Sequence, residues 1–137
     1  MKNLIFTILL SVSTLGVFAQ CNGTAGQAKP ATSIGIVIYS NDAETVFNAL
    51  RFANFSKEPG DTVNIFLLGK GVELDFLVKS DNNVKEQANT FLQSGGNIMG
   101  CGTCLQNRNI GSPQVCKFSS MSDLYDMVRK NKIVLTF

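Results

Sequence analysis

The chain has 137 residues, 45% of them hydrophobic and 16% charged, which fits a single domain with a real core and places it well away from disordered chains. A net charge of +2 and the lack of Trp exclude the basic footprint and the stacking platform of a nucleic-acid binder. With no histidine, a hydrolytic triad built on His is excluded too.

The chain opens on Lys2 and an uncharged apolar stretch from Asn3 to Ala19, closing on Val17-Phe18-Ala19. Small residues there are what a signal peptidase reads, so residues 1–19 are predicted to be a secretory signal peptide and the protein to be exported to the periplasm. A stretch of about 17 residues sits at the low edge for spanning a bilayer, so no stable membrane anchor is expected. Lipoprotein processing at Cys21 fits less well, because Gln20 stands where a small residue is normal. Residues 20–32 are small and polar and read as a flexible leader; the domain is placed at 33–137.

"SIGIVIYS" is nearly continuous in apolar, β-branched residues, as expected of a strand buried on both faces of a parallel sheet. A helix follows, with Asn41 and Glu44 as its capping box and Val46, Ala49, Leu50 and Ala53 on one face. Phe47, Phe52 and Phe55 lie off that stripe and suit deep packing and a subunit interface equally well. After the turn "EPGD" comes a second buried strand, "TVNIFLLG". "KGVELDFLVKSD" reads as a short helix or a loop across the sheet edge, with "GKG" a turn, because it lacks the spacing of a phosphate loop. Glu73 and Asp75 are expected to form a solvated loop pair.

Asn83 with Glu86 predicts the start of another helix; Val84, Ala88, Phe91 and Leu92 keep one face of it, and Gly95-Gly96 ends it. "NIMG" is a short third strand running into Cys101. Ser120 and Asp123 cap a last helix with Met121, Leu124, Tyr125 and Val128 along one face, and "KIVLTF" closes the chain as a strand. Alternating strands and helices imply an α/β fold, a small three-layer domain with a mostly parallel sheet and crossover helices.

Beyond Cys21, the cysteines are Cys101, Cys104 and Cys116. Reactive groups of open α/β sheets collect at the carboxyl ends of strands, and Cys101 falls at such an end. The following "GTCLQNR" is able to start a helical turn, whose N–H groups and dipole stabilise a thiolate. Arg108 and Lys117 add to this if they face the sulfur, although each alone reads as solvated surface charge. Four chemistries compete. A structural zinc site wants two Cys pairs or Cys with His, and neither set exists, so no metal or other cofactor is expected. A thioredoxin-like pair suits C-x-x-C between strand and helix, but this pair follows the third strand and lacks the usual proline partner. A disulfide joining Cys101 or Cys104 to Cys116, or to each other, suits an oxidising compartment. Persulfide sulfur transfer needs one accessible, nucleophilic cysteine and no histidine.

"IVIYSND", "RFANFS", "FLLGKGVEL", "NVKEQ", "GCGTC" and the terminal "VLTF", in that order and spacing, resemble the DsrE/DsrF-like family, which includes sulfur-relay subunits of the TusD kind. The resemblance runs from about Ser33 to Phe137. It implies a small, mostly parallel α/β domain, a homo-oligomer (trimer or hexamer), and a partner protein that donates or accepts sulfur. It further implies that Cys101 carries a persulfide, with Arg108 at the family's basic position. Cys104 has no counterpart in relay subunits with one reactive cysteine and is expected to act as a second, resolving thiol. The family's relay members act in the cytoplasm, so an exported chain does not inherit their specific partners.

Overall fold

The computed structural model describes residues 30–137; the expected signal peptide, most of the leader and Cys21 lie outside the described residues. Five strands form one sheet in the order β4-β3-β2-β1-β5: β1 (Ser33–Ile38), β2 (Thr62–Leu67), β3 (Asn97–Cys101), β4 (Lys117–Ser119) and β5 (Ile133–Thr136). Every neighbouring pair runs parallel. The connecting helices are α1 (Ala43–Lys57), α2 (Leu74–Ser80), α3 (Asn82–Gln93), α4 (Gly102–Gln106) and α5 (Met121–Lys130), and a 3₁₀ turn, Gly69–Glu73, links β2 to α2.

The chain steps in one direction from β1 to β4 and then returns across the sheet to β5. Right-handed crossovers therefore put α1 and α3 on one face and α5 on the other. Gly35 of β1 faces the Met127 side chain of α5 and that of Asn131 just past its end, while Ile34, Ile36 and Ile38 alternate to the opposite face. The core is built from these isoleucines with Leu50, Ile65, Phe66, Leu67, Phe91 and Ile98, all at or near zero exposure. Near-continuous apolar strands are what a sheet covered on both faces requires.

Several helix ends differ from expectation. The cap of α1 is Asp42, whose carboxylate accepts from the Thr45 N–H at 2.9 Å; Asn41 instead donates to Glu73 at 2.8 Å. Asp81, not Asn83, caps α3, accepting from both Asn83 and Val84 N–H. A carboxylate is an equally good cap at this position, and the capping-box pattern placed the start of α1 one residue early and that of α3 two residues late. Gly95, at φ 78°, and Gly96 close α3 by the expected route: Gly96 N–H donates to Phe91 O and Gly95 N–H to Leu92 O, which satisfies two of the helix's last carbonyls. Ser120 and Asp123 form the expected reciprocal box at α5.

The α5 stripe is turned outward rather than into the core. Met121, Tyr125 and Val128 are exposed, and Met127 supplies the buried contact with half-buried Leu124. Phe52 and Phe55 of α1 also face solvent. β4 goes beyond the elements the sequence predicts; it is three residues long and pairs with β3 alone among the strands.

A thiol pair at the carboxyl end of the sheet

Cys101 is the last residue of β3 and the cap of α4. Its sulfur accepts the Cys104 backbone N–H at 3.4 Å, so the C-x-x-C spacing curls the chain back over the first thiol. From a different element, the Gly69 N–H of the 3₁₀ turn is directed at Cys104 Sγ at 3.3 Å. Burial, and then the hydrogen bond to Cys101, push the Cys104 thiol above its ordinary value, while Gly69 and Arg108 oppose them.

Cys101 is only 5% exposed, more enclosed than the accessible thiol expected of the sequence, and Cys104 is the more open of the two. β4 on one side and α4 above close over the end of β3. Cys101, Cys104 and Cys116 are free thiols here, and no group of three or more His, Cys, Asp or Glu side chains among the described residues is arranged to hold a metal ion.

Arg108 is drawn into the structure and is not a free surface charge. Its Nε meets Glu73 Oε1 at 2.8 Å and its Nη1 donates to the Cys104 carbonyl at 3.3 Å. Glu73 takes a further hydrogen bond from Asn41. Arg108, and after it Asn41, hold the Glu73 carboxyl below the usual range. The group ties α4 to the 3₁₀ turn that presents Gly69 to Cys104.

Asp75 likewise departs from the solvated loop reading, because it is 5% exposed. Its two oxygens accept the backbone N–H groups of Gln114 at 2.7 Å and Val115 at 3.0 Å, fastening the loop between α4 and β4 to α2. Sequence reasoning missed this role; the buried leucine just before it and "FLV" just after were the signal that this acid sits on a packed helix.

Cys116 follows the pinned loop. Its sulfur lies 2.7 Å from where a Gly100 Cβ would stand, so the strand glycine leaves the space it fills. Burial, helped by the Asp75 charge, pushes its thiol up to about 12. Cys116 is therefore packing, separate from the thiol pair. Its folded value lies above the ordinary 9.0, so the native state holds the proton more tightly: the stability this adds is complete below pH 9 and lost as pH rises toward 12. Cys116→Ala is expected to flatten the alkaline decline of the urea midpoint over that window, and in the native protein near neutral pH Cys116 is expected to escape alkylation that reaches it after unfolding. Lys117 is exposed, and no hydrogen bond or ion pair joins it to the thiols.

A parallel α/β domain with a cysteine pair at the carboxyl edge of its sheet belongs to the class of small open-sheet proteins, whose ligands gather at that edge. The chain belongs to the DsrE/DsrF-like family, which matches over residues 32–137 and is associated with sulfur relay. It is 31% identical over 103 residues to the uncharacterised protein MJ0989 of Methanocaldococcus jannaschii, covering 69% of this chain and 88% of that protein. It is 29% identical over 103 residues to the uncharacterised protein MK0008 of Methanopyrus kandleri, covering 69% and 83%. Among solved structures, YchN of E. coli superposes with a TM-score of 0.66 at 18% identity, over 78% of this chain and 99% of that one. A conserved protein of unknown function, BT1422 of Bacteroides thetaiotaomicron, gives 0.64 at 26% identity, over 77% and 95%.

Proposed function

We propose that this protein is an exported carrier of sulfane sulfur, a sulfurtransferase in which Cys101 bears the persulfide and Cys104 is the second thiol. The observation that carries the reading is the pairing itself: a cysteine at the carboxyl end of β3 whose sulfur accepts the Cys104 N–H, in a chain of this family. The thiolate form of Cys101 is the attacking species. In the loading step Cys101 thiolate attacks the outer sulfur of a donor persulfide. The donor's S–S bond breaks, its thiolate leaves, and a new S–S bond forms on Cys101. An acceptor thiolate repeats the exchange. The enclosure of Cys101 supports a cargo kept from oxidants outside the cytoplasm.

The signal-like residues 1–19 support export. Exposed apolar side chains on α1 (Phe52, Phe55) and α5 (Met121, Tyr125) support assembly into a homo-oligomer, a trimer or hexamer. The donor and acceptor are proteins or small thiols. The bond from the Cys104 N–H to the Cys101 sulfur also favours a second reading, thiol–disulfide exchange through Cys101 and Cys104.

The test is mass spectrometry of the mature protein after brief exposure to glutathione persulfide, with each cysteine mapped. An added sulfur on Cys101 that a mild reductant removes is expected at the earliest times of exposure, and Cys101→Ser is expected to take up none there or at Cys104. Equal uptake by Cys101→Ser and the unmodified protein would rule the carrier out, and a Cys101–Cys104 disulfide already present before exposure and unchanged by the donor would leave the exchange reading.

A further inference from the structure

Resting on the carrier reading, we propose that Cys104 discharges Cys101: its sulfur displaces the carried sulfur as hydrosulfide and leaves a Cys101–Cys104 disulfide, which an external dithiol must reduce before the next load. The protein is then a converter of sulfane sulfur to sulfide as well as a carrier.

The geometry of the pair decides which atom is attacked. The Cys104 backbone N–H meets the Cys101 sulfur itself at 3.4 Å, so residue 104 is held beside the sulfur that becomes the inner one once the persulfide forms. Attack there forms the Sγ–Sγ bond and breaks the bond to the outer sulfur, which keeps the electron pair and departs as HS⁻. The Cys104 proton passes to water. The carried sulfur gains two electrons, and the two cysteine sulfurs together lose them. Closing the cycle takes two electrons from a dithiol, which is itself oxidised to a disulfide.

Three further observations support a working second thiol over a packed one. The Gly69 N–H comes from a separate element and points at Cys104 Sγ, a donor that favours the attacking anion. The Glu73–Arg108 link holds that element against α4, with Arg108 bonded to the Cys104 carbonyl. Cys104 is also more open than Cys101, so a reductant reaches the disulfide from its side. Cys116 is no substitute: its sulfur lies against the face of β3 to which residue 100 points, and adjacent strand residues point to opposite faces.

The experiment adds glutathione persulfide to the reduced, mature chain with no other reductant present, and follows sulfide release and cysteine state together. The unmodified protein is expected to release sulfide in step with formation of a Cys101–Cys104 disulfide. Cys104→Ser, with Cys104→Ala as a second variant, is expected to hold the added sulfur on Cys101 and release no sulfide over the same time, and Cys116→Ser to behave like the unmodified protein. Unmodified protein that keeps its persulfide without releasing sulfide overturns the proposal, as does sulfide release by both Cys104 variants at the unmodified rate. Failure of the Cys104 variants to take up sulfur on Cys101 sinks the carrier reading itself, which separates the two failures.

Discussion

Gly71→Ala is expected to cost about 3 kcal/mol of stability, read as a lowered urea midpoint at unchanged slope. A Cβ on Gly71 would stand 2.0 Å from the Ile38 carbonyl oxygen and 2.7 Å from its carbon, and both are backbone atoms at the buried end of β1. Neither side yields easily. The Ile38 oxygen is already the acceptor for the Leu68 N–H at 2.9 Å, so moving it breaks the bond that starts the 3₁₀ turn. Pushing the turn away instead withdraws the Gly69 N–H from Cys104. The variant is thus expected to lose stability and to discharge sulfur more slowly, two readouts of one displaced element. Gly111→Ala is the control: nothing lies within 4 Å of its Cβ position, and a small gain or no change is expected.

Asp75→Ala is expected to destabilise by about 3–4 kcal/mol, because two backbone N–H groups lose a charged acceptor and the Val115 bond is buried. Asp75→Asn keeps one acceptor oxygen and turns an amide donor toward the other N–H, so an intermediate loss is expected. The same variants remove the charge that helps keep the Cys116 thiol protonated. Cys116 in the folded Asp75→Asn protein is therefore expected to alkylate faster than in the unmodified chain, through a lowered thiol pKa and a looser loop. A midpoint within experimental error of the unmodified protein would mean that the loop is held by its apolar contacts alone.

Much of the fold was legible because it rests on local signals. β1 and β2 are unbroken apolar runs, the Gly95-Gly96 stop depends on a left-handed residue that only local backbone chemistry decides, and Ser120 with Asp123 cap each other within one turn. The starts of α1 and α3 were misplaced since Asp42 and Asp81 cap as well as the residues beside them, and a pattern of types does not rank such neighbours. The outward stripe of α5 has a different cause. Helical spacing shows that Met121, Tyr125 and Val128 share a side, but which side meets the sheet is settled by where the crossover lands, and there Met127 fits over Gly35.

The candidate site divides in the same way. Residue order alone determined that Cys101 ends a strand, that Cys104 follows one helical turn later, and that no histidine is present to share their chemistry; these facts are carried by the chain within a few residues. Only the tertiary structure decided that Gly69 reaches Cys104 from 35 residues away, that Arg108 is paired with Glu73, that Asp75 is buried beneath the Gln114–Val115 backbone, and that Cys116 belongs to the packing. The physical reason is that such contacts join segments brought together by parallel strand pairing, whose register follows from burial across the whole sheet and leaves no mark in the spacing of neighbouring residues.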